Sequence, residues 1–182
     1  MVDKVLDIKN IDLEEVITKG EIISKVQIIA NDMSELFKND IPIIICVLKG
    51  AFFFMCDLVR NLDIECEIDF ISIASYGNET KSSGKVTLYK DIKSSIEGRH
   101  VVIVEDIIDS GLTVRFLKKH FSAYNPKTLR FATLLYKSKK VSLDFKIDWI
   151  GFNIDDGFFV GYGLDHMQLL RGMENIKKIN KG

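Results

Sequence analysis

The chain has 182 residues, 47% of them hydrophobic and 28% charged, with only 2 prolines; this is the composition of one ordinary folded domain and argues against two domains or a disordered functional tail. Lys and Arg total 25 against 26 Asp and Glu, a formal charge of -1, so no global positive excess draws the chain to nucleic acid or anionic lipid. Any polyanion must be held by a local site.

Taken in chain order, Asp3 and Lys4 precede an irregular polar mixture that lacks the charged-then-apolar pattern of a signal peptide, and a cytoplasmic location is expected. Asp12 followed by Glu15 has capping-box character and predicts a short helix. Ile22, Val26, Ile29, Met33 and Leu36 then step by four and three, which predicts an amphipathic helix over 21–38. The continuous apolar, β-branched run 43–48 predicts a strand buried on both faces and ending at Lys49-Gly50, with a helix following over 51–61. The apolar stretch 41–56 is broken at Lys49-Gly50, short of the ~20 apolar residues that cross a bilayer, so no membrane role is expected. Cys46, Cys56 and Cys66 are odd in number and form no CxxC, which argues against a disulfide framework or a zinc site; all three are expected to be buried thiols.

Residues 64–75 alternate as a strand, and the polar run 77–84, with Asn78, Ser82 and Ser83, predicts a mobile loop; the wider segment 77–89 is expected to act as a lid. A second buried strand is predicted at 101–104, then punctuation at Ser110-Gly111, then a helix with Val114, Leu117 and Phe121 on its apolar stripe. Strands at 129–136 and 147–154 complete a strand–helix alternation that specifies an α/β fold, a largely parallel twisted sheet flanked by helices. Ligands of such sheets lie at the carboxyl ends of the strands.

The string VVIVEDIIDSGLT, 101–113, carries the chemistry: four apolar residues run straight into Glu105, Asp106 and Asp109. Clustered acids at a strand end repel one another and resist desolvation, so they call for water, a cation such as Mg²⁺, or a ligand rich in hydroxyl groups. Asp109-Ser110-Gly111-Leu112-Thr113 then leads into a helix whose free N–H groups and positive dipole end make an anion site, with Ser110 and Thr113 as hydroxyl donors. A ribose phosphate satisfies both halves, its hydroxyls meeting the acids and its phosphate the amides.

This string resembles the phosphoribosyl-pyrophosphate signature of the type I phosphoribosyltransferases, in the form used by the hypoxanthine(-guanine) phosphoribosyltransferases. Leu48-Lys49-Gly50 is similar to the family's first pyrophosphate loop, Ser75-Tyr76 to its flexible-loop dipeptide, 134–137 to its purine-reading strand and 148–165 to its hood segment, all in the family's order over about 40–171. The resemblance implies one phosphoribosyltransferase domain over 1–182, with a core of about 38–150 and a small hood built from both ends of the chain. It implies purine salvage: Mg²⁺-dependent transfer of phosphoribose from phosphoribosyl pyrophosphate to N9 of hypoxanthine or guanine, giving IMP or GMP and pyrophosphate, by a homodimer or homotetramer.

On the same resemblance Asp109 is the general base near purine N7, and Glu105 and Asp106 bind ribose hydroxyls and support Mg²⁺. Asp165 serves a second Mg²⁺; Lys49, Gly50, Ser75, Tyr76 and Arg171 meet pyrophosphate, Lys49 after an unusual cis peptide. Ser110, Gly111, Leu112 and Thr113 cradle the 5′-phosphate. Lys137 donates to the purine O6, where adenine's amino group would set donor against donor. Phe158 and Ile107 stack on the two purine faces, and Phe159 offers backbone contacts. The run Leu170-Arg171-Gly172-Met173 departs from the family's aromatic-Arg-x-Leu. The alternative on this fold is a regulatory homologue that binds RNA; it calls for a basic face, whereas the Lys-rich stretches 137–140 and 177–181 are short.

Overall fold

Strand β2 (Ile43–Leu48) is apolar without alternation because both of its faces and both of its edges are covered. The computed structural model, which describes residues 11–75 and 86–180, places β2 inside a six-stranded sheet of order β4-β3-β2-β5-β6-β7. Its strands are β3 (Glu67–Ser75), β4 (Val86–Lys90), β5 (His100–Ile108), β6 (Thr128–Tyr136) and β7 (Trp149–Asn153). All neighbours pair in parallel except β4, which runs antiparallel to β3 at the edge.

The period of two along β2 divides the core. Ile44 and Cys46 face helices α1 (Lys19–Leu36) and α2 (Phe52–Arg60), packing with Ile22, Val26, Met33, Phe54 and Leu58. Ile43, Ile45 and Val47 face the other way, towards α3 (Leu112–Ser122) and its stripe Val114, Leu117 and Phe121. A smaller sheet, order β1-β9-β8, joins β1 (Leu13–Ile17), β8 (Phe158–Val160) and β9 (Ile176–Ile179) in antiparallel pairs, so the two ends of the chain meet. Among the described residues no helix is long and apolar enough to cross a membrane.

Several boundaries differ from expectation for identifiable reasons. The segment after Asp12 is strand β1 rather than a helix, because β9 offers it a ladder, Leu13 against Ile179. The capping box lies one element later: the Glu21 N–H donates to Thr18 Oγ1 at 3.3 Å and the Thr18 N–H to Glu21 Oε2 at 2.8 Å, starting α1 at Lys19. Strand β5 continues past Val104 to Ile108, because its ladder with β6 runs on to Tyr136. The acids Glu105 and Asp106 are therefore strand residues, held by the sheet. Part of the expected lid, Val86 to Tyr89, is strand β4; residues 77–85 lie outside the described residues.

Cys46 is buried while Cys56 and Cys66 are only partly so, which corrects the expectation of three buried thiols. Burial pushes the Cys46 thiol far up, so thiolate is scarce at neutral pH. Brief iodoacetamide treatment followed by peptide mass spectrometry is expected to label Cys46 only after unfolding; labelling of Cys46 at the rate of Cys66 in the native protein would contradict the packing.

Candidate functional site

Three neighbouring parallel strands, β2, β5 and β6, end on the same side of the sheet, and each hands over to a residue singled out in the sequence: Lys49, Asp109 and Lys137. The parallel register thus gathers residues distant in sequence at the carboxyl edge. The peptide bond Leu48–Lys49 is cis. At Gly50 the backbone lies against the Asp106 carboxylate, so a Cβ there would displace the Asp106 side chain. Gly111 adopts φ 75°, a left-handed turn that suits glycine, and opens α3 with no acid in its first turn; the Leu112 N–H donates weakly to Ser110 Oγ at 3.4 Å.

Two cavities meet here. One, of about 430 Å³, is lined by Lys49, Gly50, Glu105, Asp106, Ile107, Asp109, Ser110, Gly111, Thr113, Asp165 and Arg171. The other, of about 690 Å³, is lined by Asp109, Lys137, Lys140, Asp156, Gly157 and Phe158, with Lys178, Ile179 and Asn180. Asp109 borders both. Leu112 is the first residue of α3, Phe159 is buried in the core, and Ser75 ends β3; Tyr76 lies outside the described residues.

In the first cavity Glu105 is 5% exposed, its Oε1 accepts weakly from the Asp106 N–H at 3.3 Å, and its Oε2 has no hydrogen-bond partner among the described residues. Burial first, and then the Asp106 charge, push the Glu105 carboxyl well above the usual carboxylate range. A buried acceptor left unmatched costs about 1–3 kcal/mol, so the site is organised for something it receives from outside.

Across the cavity the loop after β8 folds back tightly, with Tyr162, Met167, Gln168 and Leu170 all at positive φ. Arg171 Nη2 meets Asp165 Oδ1 at 2.6 Å, and Arg171 Nη1 donates to the Gly163 carbonyl at 2.6 Å. Asp165 Oδ2 accepts the Gln168 N–H at 2.7 Å, and Gln168 Oε1 accepts from both Lys49 Nζ and Arg171 Nη2, each at 3.2 Å.

In the second cavity the Lys137 side chain is 4% exposed, and its ammonium reaches Asp109 Oδ2 at 3.1 Å, Asp156 Oδ1 at 3.0 Å and the Gly157 carbonyl at 2.9 Å. Far from being the surface charge usual for a strand-ending Lys, it is a buried cation matched by two carboxylates. Lys140 Nζ meets Asp109 Oδ1 at 3.1 Å and Asp156 Oδ1 at 3.5 Å. The hydrogen bond from Lys137, the Gly157 N–H and the two lysine charges hold the Asp156 carboxyl down to about 2. Phe158 is 48% exposed, edge-on to His166 at 5.5 Å, and so offers a free aromatic face; Phe159 lies under Lys137, 6.0 Å from Nζ. Gln168, Lys140 and Asp156 were not foreseen. Their roles depend on loop turns that no local pattern encodes.

The whole arrangement sets cations (Lys49, Arg171) at one end, carboxylates in the middle, the amide end of α3 beside them, and a lysine with an aromatic ring beyond Asp109. The phosphoribosyl transferase domain family matches residues 13–166. The chain is 42% identical over 166 residues to the hypoxanthine-guanine phosphoribosyltransferase of Bacillus subtilis, covering 91% of this chain and 92% of that protein. It is 40% identical over 164 residues to the hypoxanthine-guanine-xanthine phosphoribosyltransferase of Tritrichomonas foetus, covering 89% of each. A crystal structure of a hypoxanthine-guanine phosphoribosyltransferase from Bacillus anthracis superposes with a TM-score of 0.87 at 42% identity, covering 94% of this chain and 100% of that one.

Proposed function

The chain belongs to the phosphoribosyl transferase domain family, among its hypoxanthine-guanine phosphoribosyltransferases, and we propose that it salvages purines by transferring phosphoribose from phosphoribosyl pyrophosphate to N9 of hypoxanthine or guanine. The observation that carries the reading is the position of Asp109, on the border between the acid-and-amide cavity and the lysine-and-aromatic cavity. N9 of the base attacks C1′ of the ribose, the bond from C1′ to the pyrophosphate oxygen breaks, and the N7 proton passes to the Asp109 carboxylate. IMP or GMP and pyrophosphate result.

The other roles follow from charge. The reaction develops positive charge on the ribose and negative charge on the departing pyrophosphate, so anions must face the first and cations the second. Glu105 and Asp106 face the ribose hydroxyls; Lys49, Gly50 and Arg171 face the pyrophosphate; Ser110, Gly111, Leu112 and Thr113 hold the 5′-phosphate at the start of α3. Lys137 donates to O6, Phe158 and Ile107 flank the ring, and Phe159 contributes backbone contacts. Ser75 and Tyr76 belong to the same proposal, on the pyrophosphate side.

Mg²⁺ fits this donor set. Glu105 Oε2 is buried without a partner among the described residues, and Asp106 and Asp165 border the same cavity, all hard oxygen donors of the kind Mg²⁺ prefers. Mg²⁺ takes one or two carboxylates together with substrate phosphates rather than an all-protein cage; among the described residues no three His, Cys, Asp or Glu side chains converge on one point. When bound, Mg²⁺ would supply positive charge to phosphate oxygens, with Glu105 and Asp106 supporting one ion and Asp165 a second.

We take residues 1–182 as a single domain, with a core of about 38–150 and the three-stranded sheet as its hood, acting in the cytoplasm as a homodimer or homotetramer. Exposed Phe52, Phe53 and Ile23 give an apolar face suited to self-association. Titration calorimetry with phosphoribosyl pyrophosphate tests the reading. Saturable binding is expected with Mg²⁺ present, weakened several-fold by EDTA. No binding would refute the reading, and equal affinity after chelation would refute the metal assignment.

A further inference from the structure

Lys49 and Arg171 come from opposite sides of the first cavity, one from the loop after β2 and the other from the segment before β9, yet both cations point at a single side-chain oxygen, Gln168 Oε1. We propose that Gln168 is a positioning residue for the diphosphate group, converging the two cations before the ligand arrives. The inference rests on the function proposed above and extends it to a residue that neither the signature nor the hood motif contains.

The geometry supplies the reasons. Two like charges repel, and an unoccupied site would let Lys49, which is exposed on a flexible stem, swing away from Arg171. A bridging acceptor removes that freedom. Both partners of Oε1 are donors without acceptor capacity, so the amide must present its oxygen to them. Its neutrality also matters: Arg171 is already paired with Asp165, and an amide oxygen accepts from Lys49 without adding a second negative charge, whereas a carboxylate at this position would pair with Lys49 as an ion that an incoming diphosphate must break.

The support under Gln168 is specific. Its N–H is bound to Asp165 Oδ2, Asp165 Oδ1 holds Arg171, and Arg171 Nη1 is tied to the Gly163 carbonyl, closing a ring of hydrogen bonds through the turn. Its own φ of 71° fixes the direction in which the side chain leaves the backbone. The Gln168 side chain therefore arrives at Lys49 from a turn whose shape is set by other residues. Preorganisation of this kind raises affinity by sparing the ordering of long side chains on binding.

Two variants of matching length isolate the two properties of the amide. Gln168→Met removes the acceptor, and Gln168→Glu keeps it but adds a negative charge. Calorimetric titration of parent and variants with inorganic pyrophosphate, and separately with IMP, in Mg²⁺ buffer is the test. Pyrophosphate affinity is expected to fall about threefold or more in Gln168→Met and about tenfold or more in Gln168→Glu, on the scale of an ordering cost of one long side chain and of an added charge respectively. IMP, whose phosphate belongs at the start of α3, should bind each variant within about twofold of the parent, which also shows that the variants are folded. Pyrophosphate affinity within twofold of the parent, or tighter, in either variant would overturn the proposal. If the parent itself binds neither ligand, it is the functional reading that fails.

Discussion

Asp109→Asn is expected to lower kcat by about 10²-fold or more, the usual scale for losing a general base. Asparagine keeps the size of the side chain, and its carbonyl oxygen still accepts from Lys137 or Lys140, which meet the two carboxylate oxygens at 3.1 Å each. It cannot take the proton from N7. Because Asp109 is half exposed and lies outside both core clusters, the fold should survive, and binding of phosphoribosyl pyrophosphate should stay within a few-fold. A kcat within threefold of the parent would reduce Asp109 to an ion-pair partner of the two lysines. The pattern of a large kcat loss with near-constant substrate binding separates a chemical role from a binding role.

The second large effect is expected from a residue with no side chain. Gly163 has φ 102°, and a Cβ there would lie 2.0 Å from the carbonyl oxygen of Gly50. The obstacle is backbone, so it cannot turn aside as a long side chain could. Gly163→Ala must push the turn that carries Asp165, Gln168 and Arg171 away from the loop that carries Lys49. A displacement near 1 Å in a positioned site can cost about 10²-fold in rate, and that is the expected loss in kcat/KM for phosphoribosyl pyrophosphate. The six-stranded sheet contributes no residue to this contact, so circular dichroism of the variant should match the parent. Activity within threefold would mean that the two loops need not touch.

How much of this was legible beforehand depended on whether a feature was local. The run 43–48 could be read as a buried strand because its apolar continuity follows from being covered on two faces, and 101–104 likewise, but the continuation of that strand through Glu105 and Asp106 to Ile108 could not, because it depends on the ladder with β6. The proximity of Asp109 and Lys137 was expected only from the family resemblance; the structure produces it by making β5 and β6 parallel neighbours that end together. Strand β1 was not legible as a strand: its Glu-rich start resembles a helix, and the partner that makes it a strand, β9, lies at the other end of the chain. Strands β8 and β9 are too short, at three and four residues, to show a period. Gln168, Lys140 and Asp156 escaped for a related reason. Each acts through a turn that returns its side chain to a distant strand end, and positive φ at non-glycine residues such as Gln168 has no composition signal.

The central claim, phosphoribosyl transfer selective for 6-oxopurines, is tested most directly by steady-state pyrophosphate release from phosphoribosyl pyrophosphate and Mg²⁺ with hypoxanthine, guanine, xanthine, adenine and uracil, using one protein preparation. Release dependent on hypoxanthine or guanine and stoichiometric with IMP or GMP is predicted, with adenine at least tens-fold slower because its amino group would face the Lys137 ammonium donor to donor. Equal rates with adenine and hypoxanthine, or release with uracil alone, would contradict it.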